Sequence, residues 1–201
     1  LKQRGIGLGD TVSVMAANTP ELFELHYAVP MTGAVLNTIN TRLEPETVAY
    51  ILEHSDAKLV IADTAFSGVI SQAFDINGKA LPVVNIADPD APGGELIGDE
   101  VFEDLVEGGD PEFPWQGPAD EWQALALNYT SGTSGRPKGV VYHHRGAYLM
   151  AMGTPIAWEL PRHPVYLYSV PMFHCNGWCH AWTMTLMAGT IICIRQVTGA
   201  A

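Results

Sequence analysis

Short apolar runs alternate with helix-start signals along the whole chain, and no other feature limits the fold as much. Thr11 to Ala16 (TVSVMA) reads as a strand. Asn18, Thr19 and Pro20 then cap and start a helix to about Thr32, with Leu22, Leu25 and Val29 on its buried face and Pro30 kinking or shortening it. Ala34 to Leu36 starts a second strand. Pro45 to Glu53 reads as a helix with Val48, Ile51 and Leu52 inward, Lys58 to Ala62 as a strand, Phe66 to Phe74 as a helix and Pro82 to Ile86 as a short strand. After a polar interval, Ala124 to Tyr129 is a strand, and Val140 and Val141 run on to a turn at His143 to Gly146. A helix over Ala147 to Trp158, a strand over Val165 to Val170, a helix over Gly177 to Met187 and a strand over Thr190 to Ile194 complete the pattern. Near-continuous apolar strands separated by helices predict an α/β fold, doubly wound, with mostly parallel sheets and flanking helices. Such sheets bind ligands beyond the carboxyl ends of their strands.

The polar interval carries the charge of the molecule. The chain has 201 residues, 47% of them hydrophobic, and a formal net charge of −12. Between Ala80 and Gly135 there are twelve acids and no Lys or Arg, so this interval accounts for the whole imbalance. Its prolines and glycines (Pro89, Pro92, Gly93, Gly94, Gly108, Gly109, Pro111, Pro114, Pro118) make it read as a solvated surface excursion. The irregular spacing of the acids argues against a metal site. The acidic balance argues against a nucleic-acid or anionic-membrane surface, and no apolar run has the length of a membrane span. Three cysteines, Cys175, Cys179 and Cys193, are too few for a disulfide scaffold and suit a reducing cytoplasm. Cys175 and Cys179 stand with His174 and His180 in HCNGWCH, but no second ligand pair follows, so core or groove lining is the expected role.

Residues 127–140, LNYTSGTSGRPKGV, carry the chemistry. A Gly/Ser/Thr loop with a late lysine lets backbone approach phosphate closely. Glycines remove obstructing Cβ atoms, hydroxyls and N–H groups donate, and the lysine adds positive charge. The spacing is not that of P-loop NTPases, which place Gly-Lys-Ser/Thr at the end. The run resembles the TSGTTGxPKG signature of the adenylate-forming superfamily, which includes acyl-CoA synthetases, peptide-synthetase adenylation domains and firefly luciferase. The match holds at Thr130, Ser131, Gly132, Thr133, Gly135, Pro137, Lys138 and Gly139; Ser134 stands where the family usually has Thr and keeps the hydroxyl.

Residues 170–179, VPMFHCNGWC, form a second cluster at a strand end. Read alone, an aromatic cluster of this kind is more often core than site. Placed after the loop, PMFHxNGW resembles the acyl-pocket motif of acyl- and aryl-CoA synthetases, closest to fatty-acyl-CoA ligases and acyl-activating enzymes of the butyrate/benzoate type. Gly9-Asp10, Asn18-Thr19-Pro20-Glu21, Gly33-Ala34-Val35, Asn40, Arg42 and the pair His144-Arg145 fit the same family.

The resemblance implies an ATP-dependent acyl-CoA ligase acting on a fatty or related carboxylic acid, with ATP, Mg²⁺ and coenzyme A and no nucleic-acid partner. It implies that Thr130, Ser131, Gly132, Thr133, Ser134, Gly135 and Lys138 hold phosphates, with Thr133 also on the metal, and that Lys138 and His174 are catalytic. It further implies that Phe173, His174, Asn176, Gly177 and Trp178 line the acid site, with Trp178 as a gate. Residues 1–121 would form a first α/β subdomain with the acidic excursion; residues 122–201 would hold the phosphate loop and the start of the acyl-pocket subdomain. The family's later adenine, ribose, hinge and C-terminal lysine motifs are absent. The chain therefore reads as part of the large N-terminal domain of a longer enzyme, inactive at this length. A catalytically inactive nucleotide-binding module of the same fold, and another kind of adenylate former, are the alternatives.

Overall fold

The computed structural model describes residues 1–89, 93–130 and 135–198. The elements follow the expected alternation: β1 (Thr11–Met15), α1 (Pro20–Ala28), β2 (Val35–Thr38), α2 (Pro45–His54), β3 (Ala57–Asp63), α3 (Ser67–Asn77), β4 (Val83–Ile86), α4 (Phe102–Glu107), β5 (Ala124–Thr130), β6 (Lys138–His143), α5 (His144–Ala157), β7 (Val165–Tyr168), α6 (Cys175–Trp178), α7 (His180–Leu186) and β8 (Thr190–Cys193). A six-stranded sheet runs in the order β4-β3-β1-β2-β5-β6, parallel throughout except for the β5–β6 pair; β7 and β8 form a small parallel sheet.

Successive residues of the central strands feed two different cores, as a sheet covered on both faces requires. Val12 and Val14 of β1, Leu36 of β2 and Leu59 and Ile61 of β3 pack with Leu22 and Leu25 of α1 and with Tyr168 and Met172. Met15, Val60 and Ala62 face the other way, against Val48, Ile51 and Leu52 of α2 and Ile70 and Phe74 of α3. Among the described residues no helix is long and apolar enough to cross a membrane.

Several local expectations change. Thr19, not Asn18, caps α1, accepting from Leu22 N; Asn18 is used elsewhere. The helix ends at Ala28 and a 3-10 turn at Pro30–Thr32 follows, closed by Gly33 at φ 82°, because Pro30 has no N–H to continue the ladder. The turn expected at His143 to Gly146 is the first turn of α5, capped by the His143 ring, whose Nδ1 accepts from Gly146 N at 2.9 Å.

The acidic stretch is also less of an excursion than its composition predicts. Phe102 of α4 is buried, and Asn85 in β4 exchanges hydrogen bonds with the backbone of Ile97 and Glu100. Gly94 lies so close to the Thr64 carbonyl that a Cβ would sit 1.8 Å from that oxygen. Arg4 pairs with Glu100 and Arg145 with Glu121. Arg195, just past β8, reaches both Asp63, fully buried at the end of β3 (2.6 Å), and Asp88 (3.0 Å), and so ties the small sheet to the large one.

The packing of α1 on α7 makes the fold acid-sensitive. His26 is fully buried between them, its Nδ1 on the Leu22 carbonyl at 2.7 Å and its ring edge-on to Trp182. Burial lowers its pKa from 6.5 to about 4. The neutral form is thus the folded form. Its contribution is complete above the unfolded pKa and is lost as the pH falls from 6.5 towards 4, by up to about 3 kcal/mol. His26→Gln should flatten that part of the stability–pH curve measured by chemical denaturation; a slope unchanged by the substitution would assign acid sensitivity to other groups.

Candidate functional site

The phosphate-type loop closes a β-hairpin. β5 and β6 pair antiparallel, with Leu127 opposite Val141, Tyr129 opposite Gly139 and Thr130 opposite Lys138. Thr130 and Lys138 therefore face each other at the base of the loop, at the carboxyl end of β5, and both side chains are exposed. Ser131, Gly132, Thr133 and Ser134 lie outside the described residues. Gly135 has φ 150°, a conformation that L side chains rarely adopt. Gly139 is needed for closeness, since a Cβ would meet the Leu127 side chain at 3.0 Å. Arg136 packs away from the strand pair, on α2. Its guanidinium lies 5.4 Å from the centroid of the Tyr50 ring on α2, a cation–π contact. Tyr50 packs on His54, whose Nδ1 is 2.7 Å from the Tyr129 hydroxyl on β5. Burial first, then Tyr50, pushes that phenol up to about 12, so it remains a neutral hydrogen-bonding group.

The second motif reaches the same edge of the sheet. Asn18, at the carboxyl end of β1, clamps the chain leaving β7. Its Nδ2 donates to the Tyr168 and Val170 carbonyls, both at 2.9 Å, and its Oδ1 accepts from Met172 N at 2.8 Å. Thr38, ending β2, donates to the Phe173 carbonyl at 2.9 Å and lies 3.2 Å from Asn128 Oδ1 on β5. These contacts bring Phe173 and His174 beside Thr130 in a cleft of about 100 Å³, which Thr38, Asn128, Tyr142 and Cys175 also line. His174 is exposed there, with Nε2 4.0 Å from Cys175 Sγ. The Tyr142 phenol is pushed up to about 12 by burial and by its hydrogen bond with Cys175, and so stays a donor.

The helix expected from Gly177 is broken. α6 is a single turn of the opposite hand: Cys175, Gly177, Trp178 and Cys179 all have positive φ, between 48° and 62°, and α7 starts only at His180. His174 and Trp178, four residues apart, therefore do not share the face of a right-handed helix. Gly177 is buried, whereas Trp178 is half exposed, so Trp178 is not a core residue. Cys179 is buried, and burial, with neighbouring Cys175, raises its thiol to about 11, which makes it a packing group rather than a nucleophile. All three cysteines are free. Among the described residues no three His, Cys, Asp or Glu side chains converge on a metal site.

The loop and the PMFH segment were legible as motifs, but Asn18, Thr38, Asn128 and Tyr142 were missed as parts of the site. Three of them carry a usable signal: a polar residue in, or just beyond, an apolar parallel strand needs a buried partner.

The cleft lies at the carboxyl edge of an α/β sheet, with Thr130 at the base of the β5–β6 hairpin on one side and the exposed His174 on the other. The model of the AMP-binding enzymes matches residues 1–200, and this chain belongs to that family. It is 44% identical to the peroxisomal acetate/butyrate–CoA ligase AAE7 of Arabidopsis thaliana and 46% identical to the acetate–CoA ligase CCL3 of Humulus lupulus, in each case over 98% of this chain and 37% of the relative. The chain thus spans a little over a third of the length of these curated relatives. Among solved structures, the N-terminal domain of FACL13 from Mycobacterium tuberculosis superposes with a TM-score of 0.80 at 27% identity, covering 99% of this chain and 47% of that one. ATP-bound MatB from Rhodopseudomonas palustris shares the fold, with a TM-score of 0.79 at 22% identity, over 98% of this chain and 37% of that one.

Proposed function

We propose that the full-length protein is an AMP-forming acid–CoA ligase. A carboxylate attacks the α-phosphate of ATP to give an acyl-adenylate and pyrophosphate; the thiol of coenzyme A then displaces AMP to give the thioester. The observation that carries this reading is the meeting of Thr130 and His174 in one cleft at the carboxyl edge of the sheet. Family membership and relatives named as acetate, butyrate and 2-methylpropanoate CoA ligases support it, and they favour a short-chain acid.

In this reading Thr130, Gly135 and Lys138, with Ser131 to Ser134, hold the β- and γ-phosphates, and Lys138 counters the charge that develops on them. His174 donates to the reacting carboxylate or α-phosphate, with Phe173, Asn176, Gly177 and Trp178 around the acid. Mg²⁺ would neutralise phosphate charge. Thr133 offers it a hard oxygen, and the lack of convergent acids among the described residues suits a metal that arrives with the nucleotide. The division at 121/122 is then one of roles: residues 1–121 supply scaffold, and residues 122–201 the chemistry. The free cysteines support a reducing compartment such as the cytoplasm, although AAE7 is named as peroxisomal.

The test is pyrophosphate release and CoA-thioester formation by the full-length protein over acids from two to sixteen carbons, a range that runs from about the smallest to the common fatty acids. Acid-dependent pyrophosphate release confirms the reading. Nucleotide binding without acid-dependent release would favour an inactive binding module.

The exposed position of Trp178 sets a second test. Trp178→Ala should change stability by only ~0.5 kcal/mol, as surface substitutions do, while altering relative kcat/KM across acid lengths. A large fall in Tm with a flat selectivity profile would return Trp178 to a structural role.

A further inference from the structure

The turn that carries His174 and Trp178 is built from residues that resist its conformation. Cys175, Trp178 and Cys179 hold left-handed backbone at φ 48°, 58° and 62°. Non-glycine residues adopt that region at a cost, and a run of them persists only where its surroundings enforce it. Tyr168 supplies the enforcement. It is fully buried at the end of β7, and its hydroxyl donates to the Gly177 carbonyl at 3.0 Å. It also fills the space beside Gly177. A Cβ at that position would lie 2.0 Å from the Tyr168 oxygen and 2.9 Å from Cζ. The ring is fixed in turn: Tyr166 and His180 pack around it, and the Tyr168 carbonyl is held by Asn18.

The geometry points to Tyr168 and Gly177 as a positioning pair that sets where the acid meets the adenylating machinery. The hydroxyl pulls the turn inward through the Gly177 carbonyl, and the missing side chain lets it come that close. Among the described residues, the side-chain hydrogen bonds and ring contacts of this pair run to Asn18, Tyr166 and His180 and to each other, not to the β5–β6 hairpin. The pair therefore acts through the turn that carries the acid-side residues. This inference rests on the acid–CoA ligase reading for its kinetic consequences, but its steric core does not need that reading.

The experiment uses Tyr168→Phe, Gly177→Ala, and Gly177→Ala combined with Tyr168→Leu, all in the full-length protein. Tyr168→Phe keeps the ring and removes one hydrogen bond. It should raise the acid KM and lower kcat for acyl-adenylate formation, by about tenfold together in kcat/KM, the scale of one lost hydrogen bond, with the ATP KM unchanged. A purely structural role would reduce the active fraction and leave both KM values alone, and that outcome would overturn the proposal. Gly177→Ala should lower Tm, and adding Tyr168→Leu should recover part of the loss by vacating the clash. Two independent, additive losses in Tm would overturn the steric coupling. The Tm cycle needs no turnover. If the wild-type protein makes no acyl-adenylate, the function fails while the coupling between residues 168 and 177 is still decided.

Discussion

On the proposed reading, Lys138→Ala in the full-length protein should slow acyl-adenylate formation by about two to three orders of magnitude, ~3–4 kcal/mol in the transition state, with Tm close to wild type. The reason lies in its placement. Lys138 is exposed at the first position of an edge strand, opposite Thr130 at the base of the loop, so truncating it removes charge and almost no packing. Nearby Arg136 cannot stand in for it while its guanidinium rests on Tyr50. Single-turnover pyrophosphate release, compared with a thermal melt of the same preparation, is the measurement. An unchanged rate would make Lys138 an ordinary surface residue and remove the charge argument from the mechanism.

Asn18→Ala is the largest expected loss of stability. One side chain satisfies three backbone groups of the segment from Tyr168 to Met172, across 150 to 154 residues of sequence, and it is buried, with 8% exposure. Leaving buried groups unpaired costs about 1–3 kcal/mol each, and the three are not independent, so a total of ~3–5 kcal/mol is expected from denaturant midpoints. Asn18→Asp keeps the acceptor for Met172 N and loses both donors, so it should fall at least as far as half-way. A loss under ~1 kcal/mol would show that the 168–172 segment is held by apolar packing alone.

What the sequence conveys here depends on how local the cause is. The apolar strands, the Thr19-Pro20 and Pro45 helix starts and the α/β class follow from neighbours within a few residues, and all were readable. The left-handed turn was not. Cys-Asn-Gly-Trp-Cys resembles a helix start until Tyr168, nine residues upstream, is seen in the space beside Gly177. Val140 and Val141 read as an apolar run leading to a turn, with no strand assigned to them. They belong to an antiparallel edge strand, where both are exposed, and apolar residues alone do not reveal strand direction. In the acidic interval, composition hid the anchoring by Asn85 and Phe102, because a few buried contacts are enough to pin a stretch whose average is polar. For the site the limit was similar: glycines and hydroxyls mark the loop, whereas Asn18 looked like a helix cap and serves as a clamp.

The bridge from Arg195 to Asp63 also has a timetable. The two residues stand 132 positions apart, and Asp63 has no exposure in the finished fold. At the usual pace of protein synthesis, about 5–20 residues per second, Asp63 is made on the order of ten seconds before its arginine exists. Throughout that interval the carboxylate at the end of β3 has the N–H groups of Ala17 and Ala65 as donors but lacks its cation. That corner of the nascent sheet is therefore held first by backbone donors, and its countercharge arrives last, from the ribosome's side, with the residues after β8.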